Sequence, residues 1–317
     1  MSTDPGKAMI NVLFSATPER WEEYQTPLAQ AFQRAGLDVA LSQDHDPQDV
    51  DYIVFAPNGP VSDFTPFVRT KAVLGLWAGV ETIVTNQTLT QPLARMVDSG
   101  LSEGMVEWVT GHVLRHHLGM DAHILGQNGQ WIPEAPPLAK DRKVTILGLG
   151  ALGSACATAL AALNFQVTGW SRSPKTVQGV TCLAGAEGLI TALEGAEILV
   201  LLLPQTPQTV DLIDRAALAR MPKGAVIINP ARGPMIVDQD LLDALDSGQI
   251  AHATLDVFRE EPLPPSDPFW SHPKVTVTPH IASATRADTA SAVIAENIRR
   301  GEAHEPFLNL VDRKAGY

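Results

Sequence analysis

Residues 143–153 read KVTILGLGALG, and residues 154–163 continue as SACATALAAL. The first five are a short, partly β-branched apolar run, the pattern of a buried strand. The alanine-rich tail after them has the composition of a helix. Between the two stands Gly148-Leu149-Gly150-Ala151-Leu152-Gly153, a GxGxxG. Glycine is common, so the spacing alone says little. Placed between a strand and a helix, it marks the turn of a dinucleotide-binding fold. Gly148 permits the tight turn, Gly150 lets the backbone approach a pyrophosphate, and Gly153 lets the helix lie close to the strand. Ala151 and Leu152 belong to the turn that opens the helix 154–163, whose free amides and dipole favour phosphate.

Working outward, strand-like runs recur at 166–170 (QVTGW), 197–203 (EILVLLL), 224–228 (GAVII), 252–257 (HATLDV) and 274–278 (KVTVT). With 143–147 they make six short strands joined by helix-like or polar connections, the pattern of a doubly wound parallel sheet. Ahead of them, 9–14 (MINVLF), 37–41, 52–55 and 73–76 read as strands, 19–35 as a helix closed by Gly36, and 101–118 as a helix. That alternation predicts a second parallel α/β sheet. Residues 285–300 form one more helical stretch, expected to return to the N-terminal domain. The domains expected are 1–99, then a dinucleotide-binding domain over 100–284, then 285–317. Residues 119–142 are broken by Gly126, Gly129, Pro133, Pro136 and Pro137, yet hold apolar Trp131 and Ile132. They read either as a connecting loop or as an arm packing on a partner subunit.

Where an NAD-binding domain usually offers an acidic residue to the ribose, about 20 residues past the glycines, this chain has none between Phe165 and Ala186. It has Ser171-Arg172-Ser173, with Lys175 close behind. A guanidinium and two hydroxyls suit a 2′-phosphate, so NADP(H) is the expected cofactor, with NAD(H) possible.

The 317 residues are 45% apolar, enough for sizeable cores. The longest apolar run, 198–203, is far below the roughly 20 residues a membrane helix needs. The opening MSTDPGKAMINVLF shows no secretory signal. With 23 Lys+Arg against 35 Asp+Glu, the net charge of −12 argues against nucleic-acid or anionic-membrane partners. The two cysteines, Cys156 and Cys182, make no disulfide framework or metal motif, which points to the cytoplasm.

Three polar residues lie at or beyond strand ends in the second half. Arg232 follows GAVII in NPARG, Glu261 follows HATLDV, and His280 follows KVTVT in TPH. Ligands of open parallel sheets bind outside the carboxyl ends of the strands, so the three are expected in one cleft. Arginine grips a carboxylate through a bidentate fork. Histidine holds a transferable proton near neutral pH. A glutamate on the far ring nitrogen would fix the tautomer and favour the imidazolium. His112 and His116 have helical i, i+4 spacing, but Val113 stands where a metalloprotease HExxH needs Glu. No metal is expected.

NPARG, LDVFREEPLPP and HPKVTVTPHIAS resemble the D-isomer-specific 2-hydroxyacid dehydrogenases over nearly the whole chain. WSRSPKTVQGV, DPFWSHPKVTVTPHIASATR and the terminal VDRKAGY are similar to the glyoxylate/hydroxypyruvate reductase A type within that family. The resemblance implies a dinucleotide-binding domain inserted into a split flavodoxin-like substrate domain, and a homodimer. It implies that Arg232, Glu261 and His280 are the catalytic trio and that backbone amides around Trp77-Ala78-Gly79 hold the substrate carboxylate. It also implies that Leu203, Pro204, Thr209, Ala231 and Asp256 line the cofactor. The activity implied is reduction of small 2-keto acids to 2-hydroxy acids. One departure stands out: the family generally has a small residue where this chain has Trp77, and an indole there either narrows the pocket or folds away. The rival readings are a nucleotide-sensing interaction protein without turnover, and a related dehydrogenase for another 2-hydroxy acid.

Overall fold

The computed structural model describes residues 9–131 and 133–316. Residues 1–8, Ile132 and Tyr317 are outside the described residues, so the readings of the leader, of Ile132 and of the last tyrosine fall there. The chain separates into two compact units, residues 1–101 with 284–317, and residues 102–283.

The first unit holds β1 (Ile10–Ser15), α1 (Pro18–Arg34), β2 (Val39–Ser42), β3 (Tyr52–Phe55), β4 (Ala72–Gly75) and β5 (Leu93–Ala94). All pairings are parallel, in the order β2-β1-β3-β4-β5, which is the flavodoxin-like order. The strands are apolar on both faces because helix covers one and loops the other. Val12, Phe14, Tyr52, Val54 and Leu74 face Tyr24, Leu28 and Phe32 of α1. The alternate residues Leu13, Ile53, Phe55, Val73 and Leu93 pack with Phe64, Phe67, Ile83 and Leu89 from the connections.

The second unit is built on α2 (Ser99–His117), α3 (Met120–Ile124), β6 (Lys143–Leu147), α4 (Ala151–Ala162), β7 (Gln166–Ser171), β8 (Thr181–Ala184), α5 (Gly185–Glu194), β9 (Ile198–Leu201), α6 (Arg215–Arg220), β10 (Ala225–Asn229), α7 (Asp238–Ser247), β11 (Ile250–Leu255) and β12 (Val275–Val277). The first residues of α2 still belong to the first unit. Its parallel sheet runs β12-β11-β10-β9-β6-β7-β8. The order reverses at β6, which sits between β9 and β7 and carries the glycine turn. Seven strands form where six are expected. The extra one, β8, is a partly exposed edge strand four residues long, too short for a periodic signal. Among the described residues of 119–142, α3 forms first, and the others are irregular apart from one 3-10 turn at Ala139–Asp141. Ile124, Leu125, Trp131 and Leu138 in this stretch are all exposed, Trp131 by 92%.

The chain then returns to the first unit as α8 (Ala287–Glu302). Ala290, Ile294, Ala295 and Ile298 join the core of α1, β1, β3 and β4. The far end is pinned by polar contacts: the Tyr52 hydroxyl donates to Glu302 Oε1 at 2.8 Å and Lys71 Nζ to the same oxygen at 2.6 Å.

Candidate active site

Parallel pairing turns sequence-distant loops into neighbours. At the carboxyl edge of the second unit's sheet stand, strand by strand, His280 after β12, Asp256 after β11, Ala231 and Arg232 after β10, Leu203 and Pro204 after β9, Gly148–Gly153 after β6, and Ser171-Arg172-Ser173 at the end of β7.

The glycine turn has the shape its sequence implies. Gly148 takes φ +109, and a Cβ there would meet the Leu202 carbonyl oxygen at 2.4 Å. A Cβ on Gly153 would lie 1.7 Å from the Gly148 carbonyl oxygen, so no other residue fits this crossing. At Gly150, which precedes α4, nothing lies within 4 Å of a Cβ. The helix N-terminus therefore faces open space, as a pyrophosphate requires. Ala151 is exposed and Leu152 half-buried in the first turn.

At the end of β7, Ser171 is buried and its hydroxyl donates to the Ser173 carbonyl at 2.8 Å, closing the turn. Arg172, Ser173 and Lys175 are exposed on it. No carboxylate is present in this stretch, and the donor set suits a phosphate. Thr209 is buried. Its hydroxyl bonds the Pro204 carbonyl at 2.8 Å and accepts from the Thr206 amide at 2.8 Å, so it braces the loop after β9.

Arg232 begins a turn stapled by Asn229. The Asn229 side chain donates to the Arg232 carbonyl at 3.0 Å and accepts from the Ala231 amide at 3.1 Å. The Arg232 guanidinium donates to the Ala231 carbonyl at 2.7 Å.

His280 Nδ1 lies 2.6 Å from Glu261 Oε2. The other Glu261 oxygen accepts from the Phe258 amide at 2.9 Å, so the carboxylate is held from both sides. His280 has φ +53, a left-handed conformation uncommon for a side chain with a Cβ. Its amide donates to the carbonyls of Asp256 at 2.8 Å and Thr278 at 3.0 Å. With Nδ1 taken by Glu261, Nε2 is the ring nitrogen left for a ligand, and the imidazole is half exposed.

Asp256 organises this loop from inside. It is fully buried, and its carboxylate accepts from the Thr278 hydroxyl at 2.5 Å and from the amides of Ile281 and Ala282 at 2.9 Å each. Burial pushes its carboxyl above the usual aspartate range, and those three hydrogen bonds oppose the shift. Neither this bracing nor that by Asn229 has a spacing signature in the sequence.

Trp77 and Ala78 lie in a bend after β4, in the first unit, and Gly79 follows it. Trp77 is 40% exposed, so its indole is not folded into that core.

His112 and His116 lie elsewhere, on α2. The His112 ring packs tilted against Trp108, centroids 4.3 Å apart, while His116 Nε2 meets the Thr254 hydroxyl at 2.8 Å and its ring lies 4.9 Å from His252. Burial is the main reason that His112 falls to about 4 and His116 to about 3, and it lowers His252 too. Among the described residues no three His, Cys, Asp or Glu side chains gather as a metal set.

Residues 110–282 match the family model described as "D-isomer specific 2-hydroxyacid dehydrogenase, NAD binding domain". A protein of Yersinia enterocolitica named glyoxylate/hydroxypyruvate reductase A is 42% identical over 281 residues, 86% of this chain and 89% of that one. One of the same name from Serratia proteamaculans is 39% identical over 317 residues, 97% of this chain and all of that one. Two solved structures are similar over 98% of this chain and the whole of theirs. One is a D-isomer specific 2-hydroxyacid dehydrogenase of Xanthobacter autotrophicus with NADPH and MES, at TM-score 0.91 and 40% identity. The other is an NADPH-dependent glyoxylate/hydroxypyruvate reductase of Sinorhizobium meliloti with NADP and sulfate, at TM-score 0.85 and 35% identity.

Proposed function

The chain belongs to the D-isomer specific 2-hydroxyacid dehydrogenases, and from that membership we infer that it is an NADPH-dependent reductase of small 2-keto acids, glyoxylate and hydroxypyruvate among them. The observation that carries the reading is the full-length similarity to reductases of that name, on a chain that pairs His280 with Glu261 at a strand end.

Reduced dinucleotide, when bound, supplies a hydride to the keto carbon. The open helix start at Gly150, with Gly148, Ala151, Leu152 and Gly153, receives its pyrophosphate. Arg172 and Ser173, on the turn closed by Ser171, receive the 2′-phosphate with help from Lys175. Leu203, Pro204, Thr209, Ala231 and Asp256 complete the cofactor's surroundings, by contact or by bracing loops. NAD(H), which leaves the phosphate donors to water, is the poorer cofactor.

The backbone amides of Trp77, Ala78 and Gly79 hold the substrate's carboxylate, and Arg232 adds its guanidinium. Charge develops on the keto oxygen as the carbonyl is reduced, and a fixed cation stabilises it more than the ground state. His280 donates its Nε2 proton to that oxygen. Glu261 keeps the ring oriented and balances its charge. The Trp77 indole, exposed rather than folded into the first unit's core, is available to limit substrate size.

The exposed apolar side chains of residues 124–138 support a homodimer in which this stretch packs on a second copy. Its two cysteines, both free, support a reducing cytoplasm. No described helix is long and apolar enough to cross a membrane.

The test is NADPH oxidation followed by absorbance, with glyoxylate, with hydroxypyruvate and with neither. Turnover dependent on the keto acid is expected. Tight NADPH binding without turnover on any 2-keto acid would leave the nucleotide-sensing reading in its place.

A further inference from the structure

Arg95 is the first residue after β5, at the carboxyl edge of the first unit's sheet. β4 and β5 pair with Val73 opposite Leu93 and Leu74 opposite Ala94, which brings Gly75 alongside Arg95. A Cβ on Gly75 would lie 3.8 Å from the Arg95 Cα and 3.6 Å from the Trp77 carbonyl oxygen. The backbone is held on both sides of this point. The Arg95 amide donates to Asn309 at 3.1 Å, and the Met96 amide donates to the Trp77 carbonyl at 3.0 Å. Arg95 therefore stands next to the bend that carries Trp77 and Ala78, with Gly79 after it.

Its guanidinium is unlike several others in the chain. Arg69 pairs with Asp51, Arg115 with Asp121, and Arg299 and Arg300 with Glu296. The Arg95 side chain has no ion pair and no hydrogen bond among the described residues, although it is half-buried. None of its nitrogens is among the sealed polar atoms, so a ligand can reach them. Burial alone pulls its guanidinium below the usual arginine value, with no carboxylate opposing the shift. A cation removed from water without a counter-ion is costly unless an anion arrives. Glyoxylate and hydroxypyruvate each bring one formal negative charge, the carboxylate.

We propose that Arg95 binds the carboxylate of the 2-keto acid together with the backbone amides of Trp77, Ala78 and Gly79. The inference rests on the reductase reading above. A carboxylate offers about four lone-pair directions, enough for amides and for one arm of a guanidinium fork. Because the carboxylate is unchanged by the reaction, Arg95 grips ground and transition states alike, and its loss acts on KM rather than kcat.

The experiment compares the wild type with Arg95→Gln and Arg95→Lys at saturating NADPH, using glyoxylate, hydroxypyruvate and uncharged methylglyoxal. Calorimetric binding of oxamate, a non-reducible carboxylate, to the NADP-loaded protein is measured alongside. In Arg95→Gln, KM for both acids should rise at least about tenfold and kcat change by less than about threefold, with methylglyoxal unaffected and oxamate weakened by the same factor. Arg95→Lys, which keeps the charge without the fork, should recover part of the loss and stands in should the glutamine variant not fold. Unchanged KM and unchanged oxamate binding would overturn the proposal. So would an equal loss for methylglyoxal, which would make Arg95 a support of the bend. Oxamate binding decides on Arg95 even where the wild type shows no turnover, so the two readings fail separately.

Discussion

Glu261 reaches across 19 residues of sequence to place Oε2 2.6 Å from His280 Nδ1, while its Oε1 is held by the Phe258 amide. The ring is thus fixed by a carboxylate that is itself fixed. Reduction consumes a proton, and His280 is the proposed donor of it. His280→Gln should lower kcat by about 10²–10⁴-fold with NADPH affinity little changed, as for loss of a general acid. Glu261→Gln keeps a hydrogen-bonding group but removes the charge, and should lower kcat by less than His280→Gln does. Steady-state kinetics read both, and near wild-type turnover in His280→Gln would remove it from the mechanism.

Asp256 is the acceptor for three buried donors behind that dyad. Asp256→Ala leaves the Thr278 hydroxyl and two amides without a partner. Each unsatisfied buried group costs about 1–3 kcal/mol, so a total loss on the order of 2–4 kcal/mol is expected after partial relaxation. Because the loop carries His280, kcat should fall with it. Asp256→Asn keeps one acceptor oxygen and should lose less. Urea unfolding and turnover, measured together, check the coupling.

On the proposed reading, cofactor preference rests on the turn after β7. A 2′-phosphate placed there would meet Arg172, Ser173 and Lys175 and no carboxylate. A preference for NADPH over NADH of at least about tenfold in kcat/KM, roughly 1.4 kcal/mol, is expected. Arg172→Asp should abolish or reverse it by adding repulsion as well as removing a partner. At saturating cofactor kcat should stay nearly intact. An unchanged NADPH/NADH ratio in that variant would move phosphate recognition elsewhere.

The histidines of α2 and β11 set an acid limit on stability. His112 falls to about 4 and His116 to about 3 from an ordinary 6.5, chiefly through burial and then through neighbouring charge, Arg115 for the first and His252 for the second. Below the ordinary value the unfolded chain takes up protons that the folded chain refuses. The stabilisation is therefore complete above about 6.5 and is lost as pH falls toward 4, by at most about 1.4 kcal/mol per pH unit for each histidine, less where solvent screens it. Thermal unfolding between about pH 7.5 and 4.5 should show this slope, and His116→Asn should flatten it. Identical slopes would place the acid sensitivity in other groups.

Much of this was legible as local pattern. The KVTIL strand, the glycine turn and the alanine-rich helix depend on neighbours in sequence, and the structure places them with shifts of a few residues at most. The helix read at 285–300 forms as α8, and its apolar period seats it on α1. Two strands left no such trace. β5 is two residues long and β8 four, and both are defined by the partner they pair with rather than by their own periodicity. α3 and the exposure of Trp131 were likewise invisible in a stretch that reads only as broken by glycine and proline.

By itself the sequence determined two parallel sheets, a glycine turn between strand and helix with no acidic residue about 20 positions on, and an arginine, a glutamate and a histidine at strand ends, because each of these is written in adjacent residues. Only the tertiary structure decided that Glu261 meets His280, that Asp256 turns inward to three donors rather than outward, and that Arg95 stands beside Trp77 without a carboxylate of its own. Those relations follow from strand order and register. Pairing β12 with β11 and β5 with β4 sets residues far apart in the chain within ångströms of each other, and no spacing in the sequence records which strands will be neighbours.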